Sequence, residues 1–143
     1  MGNDRSQILL RALLGGLLAG TGLSLSGVWW MLPALALLWS VAMNPLAAAL
    51  WGALAVAISH RWLLALHPLT WLGVPELLSL PLAAAVWLGC VLAAALLLSG
   101  WSGLVRLLPG RGGALQALVL SLIWGLGETL LSRSPLFWIG VGG

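Results

Sequence analysis

The chain has 143 residues, of which 62% are hydrophobic and only 6% charged, against about 25% charged in soluble domains. No water-soluble fold of this length could hide so much apolar surface, so lipid must act as the solvent for most of the chain. The net charge of +3 sets six dispersed arginines, with no lysine, against three acidic residues, and the lack of any basic stripe argues against a nucleic-acid partner.

Met1–Gln7 is polar and leads into a first apolar block, 8–25, with Arg11 near its start. A charged start, an apolar run and small residues at 24–27 also suit a signal peptide. A retained helix is the better reading, because no small-x-small cleavage site follows and further apolar blocks come at once. The opening Met1-Gly2-Asn3-Asp4-Arg5-Ser6 fits a myristoylation pattern, which a chain anchored by several helices does not need.

Block two, 28–43, opens on the interfacial pair Trp29-Trp30, is interrupted by Pro33 and is broken by Asn44-Pro45. Block three, 46–66, ends in the polar and aromatic patch His60-Arg61-Trp62. The connection His67–Glu76 carries Pro68 and Pro75 to stop helices and Trp71 to sit at headgroups. Block four is 77–99. A turn rich in glycine follows, with Gly100, Gly103, Pro109, Gly110, Arg106 and Arg111, and leads to block five, 114–131.

Blocks of this length suit a hydrocarbon core of about 30 Å, and no period-2 alternation supports a barrel. The expected fold is all-α: a polytopic transmembrane helix bundle of about five spans in one domain, 1–143, with no soluble domain. The positive-inside rule places the N-terminus with Arg5, Arg11, Arg106 and Arg111 in the cytoplasm, and Arg61 and Arg133 outside. Small residues at spacings of four supply packing seams: Ala12, Gly16, Gly20 on block one; Ala49, Ala53, Ala57 on block three; Ala85, Gly89, Ala93 on block four.

Few residues can carry chemistry. Glu128 shares a helix face with Ser121, Trp124, Gly125 and Ser132. An acid in an apolar run costs about 2.5–3.5 kcal/mol at mid-bilayer. It either lines a polar cleft or forms a structural ion pair with Arg133, Arg61 or His60. His60 and His67 stand seven apart, but two ligands do not make a zinc site, and Arg61 near a helix end is placed to snorkel. Cys90, the sole cysteine, has no neighbour to lower its pKa and reads as a small packing residue rather than a nucleophile. No catalytic triad, phosphate loop or metal cluster is present, so neither a metal nor a cofactor is expected.

Three stretches in order resemble the N-terminal membrane part of bacterial, cyanobacterial-like apolipoprotein N-acyltransferases. They are Leu50-Trp51-Gly52 through Ser59–His67; Leu69–Pro75 with the span Pro81–Leu98; and Ile123-Trp124-Gly125-Leu126-Gly127-Glu128 with Ser134–Gly140. The resemblance implies an inner-membrane enzyme that moves an acyl chain from a phospholipid to the N-terminal cysteine amine of a diacylglyceryl-lipoprotein. It does so through a thioester in an outer nitrilase-like domain with a Glu-Lys-Cys set. That set is absent from this chain, which has no lysine and a mid-helix cysteine. The family's double glycine after the histidine is reduced to Gly73.

On this reading the chain is a membrane part inactive alone, whose outer mouth is lined or braced by Glu128, Trp138, His67, Trp71 and Arg61, and whose ending on Gly142-Gly143 reads as a cut. Its partners are phospholipid, the lipoprotein substrate and the nitrilase-like domain. The alternatives are a non-enzymatic membrane scaffold or helix-packing partner and, less well matched, half of a small transporter.

Overall fold

A computed structural model describes residues 2–25, 27–107 and 114–133. Five α-helices follow one another: α1 (Gly2–Ser24), α2 (Val28–Ser40), α3 (Pro45–Ser59), α4 (Glu76–Leu107) and α5 (Ala114–Ser132). The α3–α4 connection holds two 3-10 helices, Arg61–Leu66 and Leu69–Leu72. The expected all-α membrane bundle is what forms. Three segments are long and apolar enough to cross a bilayer, Asp4–Ser24, Pro45–Leu66 and Glu76–Leu107, while Trp29–Ser40 and Leu118–Gly127 are shorter apolar helices.

Boundaries differ from the sequence expectation in instructive ways. α2 runs through Pro33 without breaking; the ring needs only that the carbonyl one turn earlier give up its partner. It stops at Ser40, and 41–43 form a turn. Asn44 then caps α3, its Oδ1 accepting from the Ala47 N–H at 3.1 Å, with Pro45 in the first helical turn. α3 yields to 3-10 geometry after Ser59. α4 continues past Ser99 through Gly100 and Gly103 to Leu107. Those glycines are not a turn, because a helix in lipid keeps its backbone paired unless something else can pair it.

α4 is 32 residues long, about 48 Å at 1.5 Å per residue. That matches a bilayer with its headgroup layers, about 40–45 Å. Glu76 lies in its first turn and Arg106 in its last, each on the favourable end of the helix dipole.

α1 and α2 run antiparallel, with Gly15 beside Leu37 and Gly22 beside Trp30, and α3 returns beside α1 and runs antiparallel to α4, with Gly52 beside Leu98 and Ala57 beside Trp87. Trp51 is the centre of this arrangement: it is 1% exposed, and its Nε1–H donates to the Ala34 carbonyl of α2 at 3.1 Å. A Cβ on Gly15 would lie 2.5 Å from Trp51 Nε1, and one on Gly16 would lie 2.7 Å from the Trp51 carbonyl oxygen. One turn on, a Cβ on Gly20 would meet Ile58 Cβ at 2.7 Å and the Ala55 carbonyl oxygen at 2.9 Å. The Ala12-Gly16-Gly20 seam of α1 is therefore real, and the backbones of α1 and α3 meet across it.

The other two seams sit elsewhere. On α3 the buried small residues are Ala47, Ala48, Gly52 and Ala55 rather than Ala49, Ala53 and Ala57. On α4 Ala85 and Gly89 are exposed, with no atom within 4 Å of a Cβ built on Gly89. The inward stripe of α4 is instead Ser79, Ala83, Trp87, Cys90, Ala94, Leu98, Trp101 and Val105, spaced by fours and threes. Cys90 packs there with Val56, Leu63 and Ala94, and its Sγ–H donates to the Val86 carbonyl.

Polar groups within the helices are matched locally or across helices. Thr21 and Ser24 donate to the carbonyls of Leu17 and Gly20 one turn back, Trp87 Nε1–H reaches the Ala57 carbonyl at 3.1 Å, and Ser102 Oγ–H reaches the Ala42 carbonyl. Among the described residues no buried side-chain polar atom lacks a partner, as a low-dielectric surrounding requires.

α5 docks through aromatic edges. Trp101 meets Trp124 at 5.6 Å and Trp39 at 6.2 Å, both edge to face.

Thermal unfolding in detergent micelles separates packed glycines from open ones. Gly16→Leu forces α1 off α3 and is expected to destabilise by about 1–3 kcal/mol, the usual range for overpacking. Gly89→Ala, which meets nothing, is expected to stabilise by about 0.5–1 kcal/mol through helix propensity alone.

Candidate functional site

The candidate site is the end of the bundle where α3 passes into α4. α3 ends because its apolar helical run meets Ser59-His60, and the chain tightens into the first 3-10 helix. His60 is buried at this corner, its Nδ1 2.9 Å from Ser59 Oγ. The first 3-10 helix turns Leu63 inward and leaves Arg61, Trp62 and Leu66 exposed. The second buries Leu69 and exposes Trp71 and Leu72.

Gly73 ends the second 3-10 helix at φ +77°, a left-handed conformation that a side chain would strain. The Gly73 N–H bonds the Thr70 carbonyl at 2.9 Å and the Val74 N–H reaches the Leu69 carbonyl at 3.4 Å. This is a Schellman closure, so a single glycine suffices to turn the chain toward α4.

One serine fixes the whole connection. Ser79, in the first turn of α4, is fully buried. Its Oγ accepts the Leu69 N–H at 2.6 Å and lies 2.8 Å from His67 Nδ1. With one lone pair taken by the backbone, the hydroxyl can donate its proton to a bare Nδ1 or accept from a protonated one. Ser79 thus holds His67 and the start of the second 3-10 helix against α4, and its burial makes it a positioning group rather than a nucleophile.

Of the residues expected at a lipid-facing mouth, the structure places Arg61, His67 and Trp71 on this one connection. His67 is half-buried against Ser79, while Arg61 and Trp71 face outward from different 3-10 helices. Glu128 falls on α5 but its side chain lies outside the described residues, as does Trp138. His60 and His67 are not on one α-helix face, because α3 ends at Ser59 and a 3-10 helix, Arg61–Leu66, separates them. Among the described residues no three His, Cys, Asp or Glu side chains are grouped to hold a metal.

Ser79 is the residue that sequence reasoning misses. The available signal was its position four residues after Pro75, in a helix-opening turn where backbone N–H groups await partners.

Ser79→Ala would leave the Leu69 N–H buried and unpaired, a loss of about 1–3 kcal/mol. Hydrogen exchange followed by mass spectrometry should show faster exchange across 67–74 in this variant. Exchange at the Trp51 level of α1 and α3 should stay unchanged.

No family model matches the chain, and no solved structure matches it. Among curated proteins, the apolipoprotein N-acyltransferase of Parasynechococcus marenigrum (strain WH8102) is 60% identical over 146 residues, covering 100% of this chain and 31% of the relative. That of Prochlorococcus marinus (strain MIT 9313) is 55% identical over 151 residues, covering 100% of this chain and 30% of the relative. That of Thermosynechococcus vestitus (strain NIES-2133 / IAM M-273 / BP-1) is 33% identical over 142 residues, covering 95% of this chain and 26% of the relative. The chain therefore spans about three-tenths of the length of the first two of these relatives. With identity of this level along its whole length, the chain belongs to the apolipoprotein N-acyltransferase family, as the part that corresponds to the N-terminal 30% or so of these relatives.

Proposed function

We propose that this chain is the membrane-embedded part of an apolipoprotein N-acyltransferase, acting in a bacterial inner membrane on phospholipid as acyl donor and a diacylglyceryl-lipoprotein as acceptor. The observation that carries the reading is the 60% identity to a protein of that name over the whole chain. The physical task of such a part is positional. Both substrates have tails that stay in hydrocarbon while the ester and the amine must reach one reactive group, and holding them in reach removes the entropy of encounter.

The covalent chemistry belongs to another segment. A thioester route needs a thiolate with a base beside it. The single cysteine here is buried in α4 with its thiol on a backbone carbonyl, and the chain has no lysine. A nitrilase-like domain would sit on the side of the α3–α4 connection. Arg61, His67, Trp71, Glu128 and Trp138 would line or brace the lipid mouth beneath it, with Ser79 as the brace behind His67.

The test is a segment exchange: this chain replaces the aligned stretch of the Parasynechococcus marenigrum relative, and acyl transfer from phospholipid to a diacylglyceryl-cysteine peptide is measured in vesicles. Activity of the chimera near that of the parent is expected, with none from the present chain alone. A folded, inserted but inactive chimera overturns the proposal and leaves a membrane scaffold as the reading. In the active chimera, Glu128→Gln is expected to lower the rate by about a hundredfold, the scale of loss when reactants are misplaced.

The positive-inside pattern gives a separate expectation. Reporter fusions should place the N-terminus and the end of α4 in the cytoplasm and Gly73 outside; the reverse result refutes the orientation.

A further inference from the structure

We infer that Arg61–Leu72 is a membrane foot, a segment seated in the headgroup and upper acyl layer of phospholipid. Its two 3-10 helices have six and four residues, about 12 Å and 8 Å at 2.0 Å per residue. The first completes the span-length run Pro45–Leu66, which the 15 residues of α3 alone leave short of a hydrocarbon core of about 30 Å, and the second lies beyond that run. They expose Trp62, Leu66, Trp71 and Leu72, with Trp71 69% exposed. The opposite side is anchored, with Leu63 and Leu69 buried and the Leu69 N–H and His67 held by Ser79. The segment is therefore two-faced and fixed to the bundle, and its apolar face points away from the protein.

The chemistry of that outer face fits lipid. Tryptophan has an apolar body and one N–H, and it gathers where hydrocarbon meets headgroups. Arg61 stands exposed at the start of the foot, and its planar guanidinium suits a lipid phosphate. The surface is continuous with lipid-facing protein: Leu77 and Leu78, the next exposed large apolar residues, already belong to the span-length α4. Trp29 and Trp30, exposed at the start of α2, stand at the same end of the bundle. The foot goes beyond the acyltransferase reading, because it requires only that the bundle be in a membrane.

The test uses the whole chain in phosphatidylcholine–phosphatidylglycerol vesicles. Spin labels are placed singly at Leu66→Cys or Leu72→Cys in a Cys90→Ala background, and their collision rates with oxygen and with a water-soluble nickel chelate are compared. Asp4→Cys serves as the aqueous reference and Leu96→Cys, exposed midway along α4, as the hydrocarbon reference. The foot is supported if both labels fall between the references with oxygen favoured over nickel. Collision rates like those of Asp4→Cys overturn it, since the connection is then a loop in water. Shielding from both reagents also overturns it, since protein, such as a second copy, then covers the face. In a Trp62→Ser/Trp71→Ser background, where only exposed side chains are lost, the Leu72 label should become several-fold more accessible to nickel; an unchanged ratio removes the tryptophans as the anchor.

Discussion

Trp51 is where three helices become one object. Its ring occupies space that exists only because residue 15 of α1 is glycine, its backbone rests on Gly16, and its indole N–H ends on a carbonyl of α2. In lipid, helices gain nothing from hiding apolar surface from one another, so close packing and polar pairing must hold them together. Trp51 supplies both at one point. It also fixes the depth of α3 relative to α1, which sets where α3 ends and hence where the α3–α4 connection emerges.

The connection then follows from shared constraints. Its prolines cannot continue a helix, its 3-10 turns leave backbone groups to satisfy, and the opening turn of α4 has a serine buried beneath it. Ser79 joins these into a fixed shape, so the residues around His67 are positioned by a helix and not by loop conformation alone.

How much of this was readable from the sequence depends on what each residue competes with. The glycine seam of α1 was legible because Ala12, Gly16 and Gly20 recur at a four-residue spacing among leucines. The seams of α3 and α4 were not, because alanine is so frequent there that several four-residue stripes compete; the choice between Ala48 and Ala49 is made by the direction of Trp51. Gly100 and Gly103 looked like a turn by composition, but nothing outside the helix could take their backbone bonds. That His67 and Trp71 fall in the connection between two helices was legible from Pro68 and Pro75. Ser79 was hidden, since a lone serine in an apolar helix usually bonds its own backbone, and only the fold brings Leu69 and His67 to it.

The inward-facing indoles have one further implication. Trp51, Trp87 and Trp101 each donate to a backbone carbonyl of a different helix, at Ala34, Ala57 and, more distantly at 3.5 Å, Leu120. A carbonyl recurs every 1.5 Å or so along a helix axis, so each indole acts like a pawl on a toothed rack. It permits only discrete axial settings between neighbouring helices and resists intermediate ones. A bundle made mostly of interchangeable leucine and alanine surfaces would otherwise be free to slide, and these contacts give it a ruler.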